Sequence, residues 1–71
     1  MVTVAEKKTN ALREIREAQM MSKAELARKA GVSPITIDRI ERGFACRIDT
    51  KRKVMLALDL KLSDWRNVFN D

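Results

Sequence analysis

Apolar residues fall along this chain at the spacing of helix faces, and no β-hairpin signal, internal repeat or low-complexity stretch interrupts them. The clearest stretch is Ser22 to Gly43. It opens on Ser22 with Glu25 three residues later, the arrangement in which each side chain bonds the other end's orphan N–H, while Met21 staples onto Leu26. Leu26, Ala27 and Ala30 form one apolar stripe, Lys23, Arg28 and Lys29 face water, and Gly31 permits a left-handed stop. A second helix follows at once: Ser33 is its N-cap, Pro34 its first residue, Val32 and Ile37 its staple, Ile37 and Ile40 its buried stripe, and Gly43 its end. So short a connection makes the two helices cross steeply, with Ala27 small where they meet. Pro34, Ile35, Thr36, Asp38, Arg39 and Arg42 are left facing outward. This is a helix-turn-helix.

The flanks extend the pattern. Thr3 with Glu6 is a second possible capping box, so a first helix is expected from about Val4 to Met20, with Leu12 and Ile15 inward and Ala11, Arg16 and Gln19 beside them. The motif helices are expected at 23–30 and 34–42. A loop from Phe44 to Ile48 is expected to be held down by those two side chains. A fourth helix at about 50–59, capped by Asp49 or Thr50, turns Val54, Met55, Ala57 and Leu58 inward. A fifth, at about 62–69, carries Trp65, Val68 and Phe69. The expected fold is all-α: five helices around one core, a single domain over residues 1–71.

Composition narrows the function. Seventy-one residues make one thin core, and 45% apolar residues exclude a disordered tail. No apolar run approaches the roughly 18 residues of a membrane span, and Val2 to Lys8 is too short and charged for a signal peptide. The single cysteine, Cys46, forms no internal disulfide, is expected to be a plain small residue, and fits a reducing cytoplasm. With no histidine and no Gly-rich phosphate loop, the usual nucleophile, base and metal constellations are missing, so neither catalysis, a metal nor a cofactor is expected. Five short helices are also expected to leave no ligand cavity. The net charge is +5 and unevenly placed. Arg39 to Lys53 holds six basic residues (Arg39, Arg42, Arg47, Lys51, Arg52, Lys53) against Glu41 and Asp49, whereas residues 54–71 are net acidic by one. A polyanion is therefore expected against the second motif helix and the loop after it. Lys51, Arg52 and Lys53 at the start of the fourth helix oppose its macrodipole, a sign that a bound phosphate would reverse.

The spacing of Ala27, Gly31, Ile37 and Ile40, closed by Ile40-Glu41-Arg42-Gly43, resembles the Cro/repressor-type (lambda-repressor-like, Xre) DNA-binding domains over roughly Ala11 to Phe69. The resemblance implies base-edge contacts from Pro34, Ile35, Thr36, Asp38 and Arg39. Arg39 suits guanine O6 and N7, Ile35 or Thr36 a thymine methyl, and Pro34, where the family often has glutamine, cannot read by hydrogen bonding. It implies phosphate contacts from Lys23, Ser33, Arg42, Arg47 and Lys51, with helix N-termini adding to them. Arg16 and Glu41 stand where the family often has a buried ion pair between the first helix and the reading helix. Asp59 replaces a usual glycine and Lys61 a usual capping serine.

These implications compete with plainer ones: Arg39 as a solvated charge paired with Asp38 or Glu41, Ile35 as part of the core, Lys51 to Lys53 as surface lysines and arginine touching nothing, Arg16 and Glu41 as separate exposed charges, and Trp65 as core filling. Val68 and Phe69, with nothing further in the chain to cover them, invite a partner subunit, so a homodimer through Trp65, Val68 and Phe69 is expected on an inverted-repeat operator. The expected function is a cytoplasmic transcriptional regulator of double-stranded DNA without a fused sensor domain or small-molecule ligand. The alternative is a protein-interaction module or adaptor of the same fold, an antitoxin included, docking through Ile35, Trp65 and Phe69.

Overall fold

A computed structural model describes residues 10–69. Within them the chain forms α1 (Leu12–Ala18), α2 (Lys23–Ala30), α3 (Pro34–Glu41), α4 (Ile48–Ala57) and, after a 3-10 turn at Leu62–Asp64, the short α5 (Trp65–Val68). The architecture is all-helical, as expected. The α2 bounds match the sequence reading and α3 ends one residue early, because their signals are local. Ser22 Oγ accepts from the Glu25 N–H at 3.0 Å, and Ser33 Oγ accepts from the Thr36 N–H at 3.2 Å with Pro34 next to it.

The four longer helices end alike. In each, a residue with left-handed φ turns the chain so that its own N–H and the next one reach back to the last carbonyls. After α2 and α3 that residue is glycine: Gly31 at φ 74°, with Val32 N–H on Ala27 O, and Gly43 at φ 99°, with Phe44 N–H on Arg39 O. After α1 and α4 it is Met20 at φ 58° and Asp59 at φ 61°, with Met21 N–H on Arg16 O and Leu60 N–H on Met55 O. A side chain in this conformation costs roughly 1–2 kcal/mol. Asp59 thus does a glycine's job at the position where the family usually has glycine.

Packing centres on α2, which lies against both α3 and α4. Leu26, Ala27 and Ala30 from α2 meet Ile37 and Ile40 from α3, Val54 and Met55 from α4, Leu58 just after it, Leu12 from α1, and Met21 between α1 and α2. Burying each of the large side chains contributes about 1.5–3 kcal/mol against exposure. Val68 and Phe69 belong to this same core, at 1% and 3% exposure, which overturns the expectation that nothing in the chain covers them. The other end of the described chain meets their backbone. Asn10 pairs antiparallel with Phe69, and the Ala11 N–H donates to Val68 O at 2.9 Å.

That closure also corrects the first helix. The suggested capping box at Thr3 and Glu6 lies outside the described residues. Within them α1 starts at Leu12, whose N–H donates to Asn10 Oδ1 at 3.1 Å, while Asn10 Nδ2 donates to Ile40 O at 2.6 Å. A second tie, Gln19 Nε2 to Leu58 O at 3.0 Å, joins the C-terminal ends of α1 and α4. The loop after α3 departs from expectation too: Phe44 and Ile48 are 54% and 74% exposed and pin nothing down. Ile48 is instead the first residue of α4, which begins two residues early behind Arg47, with no side-chain cap from Asp49 or Thr50. Cys46 is half-buried against the core.

Candidate nucleic-acid interface

The reading helix is fixed from behind by the ion pair that the sequence suggested. Arg16 Nε donates to Glu41 Oε2 at 2.7 Å and Nη2 to Oε1 at 3.2 Å, a two-bond pair with both side chains under a tenth exposed. Arg16 Nη1 also donates to Met21 O at 2.8 Å, so one guanidinium ties α1, the α1–α2 corner and the end of α3 together. The hydrogen bond to Glu41 raises the Arg16 pKa above its ordinary value against the opposing effect of burial.

The five candidate base-reading residues of α3 remain outside the core. Ile35 is 69% exposed, so it is not a core residue, and Pro34 and Arg39 are exposed as well. Thr36 is half-buried, with its hydroxyl 3.0 Å from Ser33 Oγ. The Arg39 guanidinium pairs with neither Asp38 nor Glu41. It lies 5.0 Å from the centre of the Phe44 ring, which the Gly43 turn brings beneath it.

Asp38 is engaged elsewhere. Its carboxylate accepts from Lys23 Nζ at 2.6 Å and meets Arg42 Nε at 3.0 Å, joining the start of α2 to the end of α3. The Lys23 hydrogen bond, with the charge of Arg42 behind it, holds the Asp38 carboxyl below the ordinary carboxylate range. Two candidate phosphate contacts and one candidate base contact thus form one surface triad. Only its Asp38–Arg42 edge was readable, as a pair four residues apart on a helix. The Arg39–Phe44 stack had no such signal, since it depends on the turn at Gly43.

The remaining phosphate candidates divide. Ser33 spends its hydroxyl on capping α3, so what it offers an anion is the helix N-terminus behind it. Arg47 is exposed in the loop before α4, beside neither Asp38 nor Glu41. Lys51 is turned away from this face: it is half-buried, with its ammonium 5.0 Å from the centre of the Trp65 ring and 5.7 Å from that of Phe69. The spacing that puts Met55 in the core puts Lys51, one turn earlier, on the same side of α4. Arg52 and Lys53 lie near Asp49, at 3.5 and 3.6 Å.

Two capped helices packed together across a short turn, an exposed reading face and cations at its borders define a helix-turn-helix DNA-binding domain. The helix-turn-helix family model HTH_3 matches residues 12–65, and the chain belongs to that family of Cro/repressor-type domains. No curated protein sequence matches it. The function this establishes is that of a DNA-binding regulator. No helix among the described residues is long and apolar enough to cross a membrane, and no cluster of metal-ligating side chains occurs among them.

Proposed function

We propose that this protein is a sequence-specific transcriptional regulator that lays α3 in the major groove and reads base edges chiefly with Arg39 and Ile35. The observation that carries the reading is the Arg39–Phe44 stack. It holds a five-donor guanidinium over a rigid ring on the outward face, so less side-chain freedom is lost when the fork meets guanine. Ile35, 69% exposed one turn earlier on the same helix, offers an apolar surface to a thymine methyl. Lys23 and Arg42 flank the reading face and Arg47 stands beyond it, as phosphate contacts that set register. Asp38, saturated by Lys23 and Arg42, is a brace between α2 and α3 in this proposal and not a reader of cytosine.

A homodimer on an inverted repeat rested on an uncovered Val68–Phe69 pair. Both side chains lie in the core of their own chain, which removes them as its contact surface; the homodimer itself stays part of the proposal, through another surface.

The test is a binding profile over a substituted duplex, after selection of a preferred site from random sequences, at two salt concentrations. Arg39→Ala is expected to cost about 1–3 kcal/mol on the preferred site and to relax selection at one base pair. Arg47→Ala should weaken all sequences equally and flatten the salt slope by about one unit. Uniform loss with Arg39→Ala would make that residue a phosphate contact and overturn the reading-face assignment.

A further inference from the structure

A groove of about 390 Å³ runs between α4 and the α5 segment, lined by Ile48, Lys51, Arg52, Met55, Leu62 and Trp65. Its existence corrects the expectation that five short helices leave no such space. None of its walls comes from α2 or α3, so it stands apart from the DNA-reading face. Two of its apolar members stand up from the rim: Ile48 is 74% exposed and Leu62 is 44% exposed. Four residues past Arg52 on α4, Leu56 prolongs the ridge at 60% exposure. Apolar side chains grouped in this way mark an interaction surface, and their upright posture suits a segment laid along the groove better than a small molecule enclosed by it.

Charge decides between occupants. Lys51 is poised over one aromatic pair, Trp65 and Phe69, and Arg66 lies 5.2 Å from the centre of the Trp65 ring. Arg52, in the wall, is paired with Asp49 at 3.5 Å, so the cations Lys51, Arg52 and Arg66 outnumber that carboxylate along the groove. A second copy related by a two-fold axis would set these cations against themselves. Duplex DNA would meet the cations but leave the apolar ridge wet. An amphipathic helix whose apolar stripe is bordered by carboxylates satisfies both halves of the surface. We propose that the groove between α4 and α5 docks an acidic amphipathic helix of a partner protein, leaving α3 available for DNA.

Trp65, the only tryptophan, reports occupancy directly. The probes are two synthetic helices of about four turns with the same leucine stripe, one bordered by glutamates and one by lysines. The glutamate peptide should shift Trp65 emission saturably, with affinity falling as salt rises. Leu62→Asp, at an exposed site, should weaken it about tenfold with helical content unchanged, and Arg52→Glu should move the preference toward the lysine peptide. Equal binding of both peptides, or none, overturns the proposal. So does self-association of the peptide-free protein that Leu62→Asp abolishes, which would assign the groove to a second copy. Displacement of the glutamate peptide by duplex DNA would assign it to DNA and overturn the proposal equally. Because the readout needs no operator, its failure is separable from failure of the α3 reading.

Discussion

Arg16 and Glu41, twenty-five positions apart, meet through two hydrogen bonds behind the reading helix, and both are withdrawn from water. Removing one partner leaves the other charged and buried, which costs about 3–5 kcal/mol, most of what a domain of this size has. Glu41→Leu is therefore expected to be largely unfolded in urea titrations. The pair Arg16→Met with Glu41→Leu should recover most of that loss, since two apolar groups of similar volume replace two charges. A double variant as unstable as the single one would mean that the Arg16 bond to Met21 O, not the ion pair, holds this corner.

Met20 and Asp59 end α1 and α4 in the left-handed conformation. Met20 is 91% exposed, so glycine there removes strain without removing packing. Met20→Gly and Asp59→Gly should each stabilise by up to about 1 kcal/mol, the left-handed penalty reduced by glycine's greater freedom when unfolded. Thermal unfolding of the two single variants and the double tests this, the double also reading any coupling through the Gln19–Leu58 hydrogen bond that joins the two corners. A lowered midpoint for Met20→Gly would show that the methionine side chain stabilises the corner in some other way.

The Asp38 carboxyl titrates below its ordinary value of 3.8 because Lys23 and Arg42 favour its charged form. Its folded-state pKa being the lower one, the brace contributes stability above the unfolded value and loses it as pH falls through the folded value. The melting temperature of the native protein should thus approach that of Asp38→Asn as pH drops below about 4, and high salt should narrow the gap at neutral pH. A difference that stays constant from neutral pH into acid would remove Asp38 from this role.

Much of the motif was legible because its instructions are local. Ser22, Ser33, Pro34 and Gly31 each act within a few residues of themselves, and the α2 bounds and the start of α3 followed directly. The misreadings have a common cause, a partner distant in sequence. Val68 and Phe69 looked uncovered because the core they join is assembled from helices distant in sequence, and their backbone partners, Asn10 and Ala11, lie at the far end of the described chain. The first helix looked longer because Asn10 spends its side chain on Ile40 O, thirty positions away. Lys51 is different: the periodicity that buried Met55 already carried its direction, but the charge count around it pointed toward phosphate. The Arg16–Glu41 contact became legible only through the family resemblance, since nothing local distinguishes those two residues from surface charges.

The pairing of Asn10 with Phe69 makes the domain a closed ring in the topological sense. Residues opposite one another in an antiparallel pair lie only about 5 Å apart. Whatever is joined ahead of position 10 and whatever is joined behind position 69 therefore depart from a single point on the surface. The unit is shaped like a bead hung by one eyelet: it can be spliced into a loop of a host chain, or reopened at another corner with the old ends joined, without altering the geometry of α3.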